Sequence, residues 1–169
     1  MSFEISGLYS LGKVFDPTSL KKSLDTWNQK GHATTALTTI TKLEMLLEKA
    51  VKLHFKNKSR KLMDKLFDYR GPAGSFSAKI DLAYALGAVS QNSYETLHVL
   101  RAIRNDIAHS DIEVDFASTK LDRHFKKLSD KTDREVTFLA SAVDCIIDIN
   151  KKLEPLYLAQ ALGEYKKKS

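Results

Sequence analysis

The sequence predicts a compact all-α protein, and three observations support this. Glycine and proline are scarce, with 7 and 3 among 169 residues. No stretch alternates apolar and polar residues as an exposed strand does, whereas apolar residues recur every three or four positions, the period of an amphipathic helix. A chain of this length can bury a core without disulfides or a structural metal. We therefore predict one helical domain over residues 1–169 with short flexible ends.

Three helices are predicted in the first part of the chain. Asp16 and Pro17 combine an N-cap acceptor with the residue favoured at the first helical position, which indicates a short helix to about Gln29. From about Thr34 to Phe55, the apolar spacing predicts a long helix that should be a central member of a bundle. A third helix carries Leu62, Met63, Leu66 and Phe67.

The sequence Gly-Pro-Ala-Gly-Ser at residues 71–75 must form a turn that opens the next helix. Free N–H groups at a helix start attract anions, and Lys79 could assist binding there. The segment lacks the preceding strand and the lysine placement of a nucleotide-binding P-loop. We therefore favour a tight connection between packed helices and infer no ATP binding. Ser75 or Ser77 should cap the helix, and Gly87 or the residues just beyond it should end it.

The next predicted helix, from about Asn92, separates packing residues from polar ones. Its apolar residues recur at the helical period and leave a second stripe for chemistry. The apolar stripe comprises Tyr94, Leu97, Leu100, Ile103 and Ile107, and the polar stripe comprises His98, Arg101, Asn105 and His109.

Two further helices are predicted towards the C-terminus. A short one lies around residues 121–128. Thr132 and Glu135 form a capping box for a longer helix that reaches about Leu153. Pro155 is expected to interrupt that helix before a short final segment.

Several classes of protein are disfavoured by composition. The N-terminus lacks the basic start and apolar core of a signal peptide, and no run of about 18 apolar residues is present, so we expect a cytoplasmic protein without a membrane segment. The single cysteine, Cys145, lies among apolar residues and should be a small buried hydrophobe. The histidines show no metal-ligand spacing with cysteine or carboxylates, so no metal or cofactor is predicted.

A formal net charge of +6 makes an anionic partner plausible. Basic residues concentrate between Lys49 and Lys65, where Asp64 is the single acid, and the chain ends in a run of three lysines before Ser169. These clusters predict contacts with nucleic-acid phosphates; the alternative is a solvated helix end and a frayed tail. The predicted nucleic-acid-binding residues are Lys52, Lys56, Lys58, Arg60, Lys61, Lys79 and Arg101.

Residues 104–109, Arg-Asn-Asp-Ile-Ala-His, are the strongest candidate for a functional site. The permanent charge of Arg104 can hold a phosphate and stabilise a transition state, while His109 titrates near neutrality and can move protons. Together with the Asn105 amide, they could bind and cleave a phosphodiester without a metal ion. From spacing alone, the alternative is a solvated Arg104 and a His109 favoured by the helix dipole.

The segment GPAGSFSAKIDLAYALG (71–87), Leu97, and LRAIRNDIAH (100–109) resemble the mannitol operon repressor (MtlR-like) family. The Arg-Asn-x-x-x-His portion is also similar to the signature of the HEPN superfamily. That superfamily consists of small helical bundles that commonly dimerise, and many members are metal-independent ribonucleases in toxin or defence systems. Others keep the fold and only bind.

The HEPN resemblance implies a catalytic site made of Arg104, Asn105 and His109. Arg104 would bind the phosphate, Asn105 would position a polar group, and His109 would transfer a proton as the ribose 2′-hydroxyl attacks phosphorus. The product would be a 2′,3′-cyclic phosphate. This resemblance also implies a homodimer, an RNA substrate and an antitoxin partner.

The mannitol repressor resemblance implies a transcription regulator. The sequence contains no convincing helix-turn-helix with a basic recognition helix, so such a regulator would act without catalysis through another protein. A third class, a plain helical interaction module, would bind a protein and no nucleic acid. We favour the metal-independent endoribonuclease, because Arg104, Asn105 and His109 are all present, and keep the regulator as the alternative.

Overall fold

The computed structural model describes residues 31–109, 116, 118–129 and 133–168, and every regular element in these ranges is helical. The all-α fold class is therefore confirmed. The helix predicted to end near Gln29 lies outside the described residues. No described helix is both long and apolar enough to span a bilayer. The helices are α1 (His32–His54), α2 (Arg60–Phe67), α3 (Phe76–Ala85), α4 (Gln91–Ala108), α5 (Asp122–Leu128, preceded by a 3-10 turn at Thr119–Leu121) and α6 (Arg134–Lys168).

Helix α4 lies at the centre of the bundle and packs against α1, α3, α5 and α6. Its predicted apolar residues Leu97, Leu100 and Ile103 are fully buried. Helix α1 packs against α3 and α6 as well, which makes it the second central member, as its apolar spacing predicted. The shorter α2 contributes Met63 and Phe67 to the same core.

The turn between α2 and α3 is a tight connection. The N–H of Ala73 donates to Leu66 O (2.9 Å), that of Gly71 to Asp68 O (2.7 Å), and that of Gly74 to Gly71 O (3.0 Å). A Cβ at Gly71 or Gly74 would overlap the backbone oxygen of Leu66 or Asp68, respectively. The N–H groups of the turn therefore serve the fold rather than an anion.

The predicted ends of α3 are observed. Ser75 is the N-cap, and its Oγ accepts a hydrogen bond from the N–H of Ala78 at 3.1 Å. At the other end, Gly87 adopts a left-handed φ of 71°, and its N–H donates to Tyr84 O at 3.0 Å. The following N–H, of Ala88, donates to Ala83 O at 2.8 Å. These two bonds form a Schellman motif, which satisfies the last carbonyls of the helix.

The start of α4 is attached to α6 through Asp148. Ser90 is the N-cap of α4, and its backbone N–H donates to Asp148 Oδ2 at 2.8 Å. Burial alone raises the pKa of the Asp148 carboxyl, but hydrogen bonds from Ser90 and Ser93 outweigh burial and lower that pKa. One turn of α6 earlier, Cys145 is buried as predicted, and burial raises the pKa of its thiol to about 12.

The prediction that Pro155 interrupts the last helix is wrong, because α6 continues through it to Lys168. Pro155 is exposed, while Leu153 is buried and Tyr157 packs against the core on either side of it. These contacts hold the helix despite one missing N–H donor. At the start of α6, Asp133 Oδ1 accepts from the N–H of Val136 at 3.0 Å. Thr132, the first residue of the predicted capping box with Glu135, lies outside the described residues.

We expect Asp148→Ala to lower the free energy of unfolding by about 1 kcal/mol at pH 7, because it removes the half-exposed carboxylate that accepts from Ser90. The folded-state pKa lies below the unfolded one. The contribution is therefore complete above about pH 4 and is lost as the pH falls through the folded-state pKa. Urea denaturation at pH 7 and pH 3 measures both effects. Asp144→Ala, an exposed aspartate on the same helix, is the matched control and should change little.

Candidate functional site

The predicted trio of Arg104, Asn105 and His109 lies at the C-terminal end of α4. Arg104 and Asn105 are half-buried, and Arg104 Nη1 donates to Asn105 Oδ1 at 3.0 Å. His109 is the C-cap residue; its N–H donates to Asn105 O at 3.0 Å, and the residue is exposed. The local contact therefore joins the arginine to the amide, and the histidine caps the same helix.

Helical geometry directs Arg104 and His109 differently. Five residues on an α-helix correspond to about 140° around the axis and about 7.5 Å along it. Arg104 follows Leu100 by four residues and precedes Ile107 by three, so it continues the buried stripe of α4. His109 follows Asn105 by four residues and continues the polar stripe. Within one chain, the two side chains thus leave the helix in different directions.

Asp106, between these residues, attaches α4 to α5. Its Oδ2 lies 2.9 Å from both Arg123 Nη2 and His124 Nε2. Burial raises the pKa of the Asp106 carboxyl, but the hydrogen bonds from His124 and Arg123 outweigh burial and lower that pKa. Because a carboxylate only accepts, His124 Nε2 must carry the proton. The 3.2 Å contact of Arg123 Nε with the same nitrogen is then a close approach and not a hydrogen bond.

Helix α5 adds a basic surface that the sequence analysis did not identify. The sequence alone could have indicated this surface, because four basic residues occur within eight positions. All of them are exposed, although Arg123 also contacts Asp106. We call this set the α5 platform: Lys120, Arg123, Lys126 and Lys127.

The predicted nucleic-acid-binding residues do not form one uniform surface. Four of them are exposed around the connection between α1 and α2: Lys56, Lys58, Arg60 and Lys61. Lys52 Nζ instead donates to Glu48 Oε1 at 2.6 Å and lies 4.7 Å from the centre of the Phe67 ring. Arg101 on α4 is half-buried, and its Nε is buried without a hydrogen-bond partner among the described residues.

Lys79 does not lie on the predicted nucleic-acid-binding surface. Its side chain is 6% exposed, and Nζ contacts Glu44 Oε1 at 2.7 Å and Glu48 Oε2 at 3.0 Å. Burial lowers the pKa of the Lys79 ammonium, but the two carboxylates outweigh burial and raise that pKa. Lys79 therefore joins α3 to α1 and is not presented to a phosphate. The same contacts hold Glu44 and Glu48, one turn apart on α1, against α3.

An open groove lies beside this network, with a cavity volume of about 520 Å³. Its wall carries both signs of charge, so it shows no preference for an anion over a cation. The lining residues are Glu48, Lys52, Met63, Asp64, Lys65, Phe67 and Asp68. Across the described parts of the chain, no group of three or more histidine, cysteine or acidic side chains is arranged to hold a metal ion.

The fold places the chain among the all-α helical bundles, and its sequence gives the family. The profile of the mannitol repressor family matches residues 28–148, well over half of the 169 residues, so the chain belongs to this family. A chain in the X-ray structure of the MtlR–HPr complex from Escherichia coli is similar in fold, with a TM-score of 0.56 and 21% identity. The alignment covers 77% of this chain and 97% of that one. No match is found among curated proteins.

Family membership favours the regulator alternative over the ribonuclease. Nothing in these comparisons supports the HEPN resemblance, ribonuclease activity or a toxin role for Arg104, Asn105 and His109. Family membership therefore supports the transcription regulator, which was the alternative interpretation, in place of the endoribonuclease that the sequence favoured. The homodimer and the catalytic roles stay predictions.

We expect Lys79→Met to lower the free energy of unfolding by about 2 kcal/mol, because it leaves Glu44 and Glu48 facing each other without their shared cation. Thermal and urea denaturation measure the change. Lys61→Met, at an exposed position, is the matched control and should stay within about 0.5 kcal/mol of wild type. Equal stability of the two variants would contradict the assignment of Lys79 to the helix interface.

Proposed function

We propose that this protein is a non-catalytic regulator of transcription that acts by binding a protein partner. The observation that carries the proposal is the match to the mannitol repressor family over residues 28–148. The similar chain of known structure comes from a complex between MtlR and HPr, which makes HPr the first partner to test. The sequence contains no convincing helix-turn-helix with a basic recognition helix, and this favours action through another protein.

The geometry at the end of α4 supports a binding role. A phosphodiesterase needs its phosphate-binding cation and its proton-transfer group to converge on one phosphate. Within one chain, Arg104 continues the packing stripe and bonds to Asn105, whereas His109 is the exposed C-cap residue five positions further on. Polar side chains that diverge in this way suit contacts spread over the surface of a macromolecule better than one small reaction centre.

The proposal is tested by isothermal titration calorimetry of the full chain with HPr from the same organism. We expect a dissociation constant of about 1–100 μM, typical of a transient regulatory contact. Absence of binding at about 100 μM of each protein, the upper limit of that range, would reject HPr as the partner.

The ribonuclease alternative is examined with the same preparations. Single-stranded RNA and total tRNA are incubated with wild type, Arg104→Ala and His109→Ala in EDTA, after circular dichroism has shown that the variants fold. We expect intact RNA in all three samples. Cleavage by wild type to cyclic-phosphate ends, lost in both variants, would overturn the non-catalytic proposal and restore the endoribonuclease.

A further inference from the structure

The α5 platform concentrates positive charge on a short stretch of helix. Arg123 and Lys127 are four residues apart on α5 and share one face, with Lys126 beside them and Lys120 in the 3-10 turn that precedes the helix. Between Lys120 and Lys127, the single acid is Asp122. At the helical rise, these eight positions span about 11 Å.

The acidic groups described next to the platform are already paired. Asp122 Oδ1 accepts from Arg134 Nη2, and Asp106 Oδ2 accepts from Arg123 Nη2. Among the described residues, no ion pair involves Lys120, Lys126 or Lys127. Arg123 keeps a side chain that is 72% exposed, so its remaining N–H donors face solvent. The platform therefore presents charge that the adjacent described acids do not neutralise.

The platform is also held in place by buried side chains and by contacts with α6. Leu121, His124 and Phe125 are buried beneath it. From the start of α6, Arg134 Nη1 donates to Phe116 O at 3.2 Å and to Ser118 O at 3.0 Å. The Arg134 guanidinium also lies 5.2 Å from the centre of the Phe125 ring. Because these contacts already order the surface, it loses little conformational entropy when a partner binds.

The end of α4 contacts this surface through Asp106, three residues before the exposed C-cap residue His109. Asp106 and His109 are three residues apart at the end of α4, which places them on neighbouring parts of one helix face. Asp106 in turn holds Arg123 of α5. Asp106 thus links the end of α4, where the predicted motif lies, to the basic residues of α5.

We propose that the α5 platform is the surface on which an acidic segment of the protein partner binds. The inference rests on the proposed function and deepens it by naming the site and the chemistry of the partner. A segment of three or four extended residues spans about 11 Å, at about 3.3 Å each, and so matches the length of the platform. Its carboxylates would face the exposed ammonium and guanidinium groups.

The observations favour an acidic protein segment over a nucleic acid. Proteins that bind duplex DNA tightly neutralise roughly six to ten phosphates, whereas the platform offers four cations. Single strands are held by aromatic side chains that stack on bases. The exposed aromatic residues in the described ranges, Tyr69 and Tyr84, precede α4 and are not part of α5.

The basic residues between α1 and α2 provide the matched comparison. Lys56 and Lys58 are exposed, as Lys126 and Lys127 are, but they lie in a connection without regular structure. Binding there requires ordering of that connection, which costs affinity. The proposal therefore predicts that an acidic segment prefers α5 although both surfaces are basic.

The test uses fluorescence anisotropy with the full chain and a fluorescein-labelled peptide of ten glutamates. A glutamine peptide and a single-stranded RNA of the same length serve as comparison probes. Lys126→Glu/Lys127→Glu is compared with Lys56→Glu/Lys58→Glu, and circular dichroism verifies that both variants fold. Each variant changes the net charge by the same amount, so a general charge effect would appear equally in both.

We expect the α5 variant to weaken binding of the glutamate peptide about tenfold and the control variant less than twofold. Binding should weaken as salt is raised, and the glutamine peptide should bind weakly or not at all. Equal losses in the two variants would overturn the proposal, because the effect would then reflect net charge alone. Tighter binding of the RNA than of the glutamate peptide would also overturn it, in favour of a nucleic-acid surface.

Titration of the same variants with HPr separates this inference from the proposed function. HPr that binds wild type and the α5 variant equally well would leave the proposed function intact and reject the platform as its site. Absence of HPr binding, together with platform-dependent binding of the glutamate peptide, would reject HPr while supporting the platform.

Discussion

Burial of one face of α4 is the constraint on which the rest of the structure depends. This helix packs against four others, so its rotation about its own axis is fixed by its apolar residues. Asp148 fixes the start of α4 through Ser90, and Asp106 attaches its end to α5. With both ends held, the residues outside the buried face have defined positions. The position of the basic residues of α5 beside the end of α4 is therefore a consequence of core packing.

Most of the fold was predictable because its signals are local. The apolar period located α1 and α4, Ser75 marked the start of α3, and Gly87 marked its end. The prediction failed at Pro155, where a local rule for helix breaking competes with packing of the flanking residues against the core. Contacts with other helices decide which effect prevails, and the residue pattern of a single segment does not reveal those contacts.

The candidate site was predictable only where it depends on one helix. The sequence located Arg104, Asn105 and His109 at the end of α4, but it assigned them a joint catalytic role that the family match does not support. Lys79 illustrates the other limit. Its partner Glu44 is 35 residues away, so their ion pair became visible only when α1 and α3 were packed together. Charge in the sequence thus identified candidates without separating surface cations from buried ones.

Cys145 has a practical consequence for studying this protein. It is the sole cysteine of the chain, it is buried, and its thiol pKa is raised to about 12. Reagents that attack thiolates should therefore react slowly with it at neutral pH while the protein is folded. A cysteine introduced at an exposed position could be labelled with a fluorophore or spin label on the unaltered background. Distances within the bundle could then be followed in solution without first replacing a residue of the core.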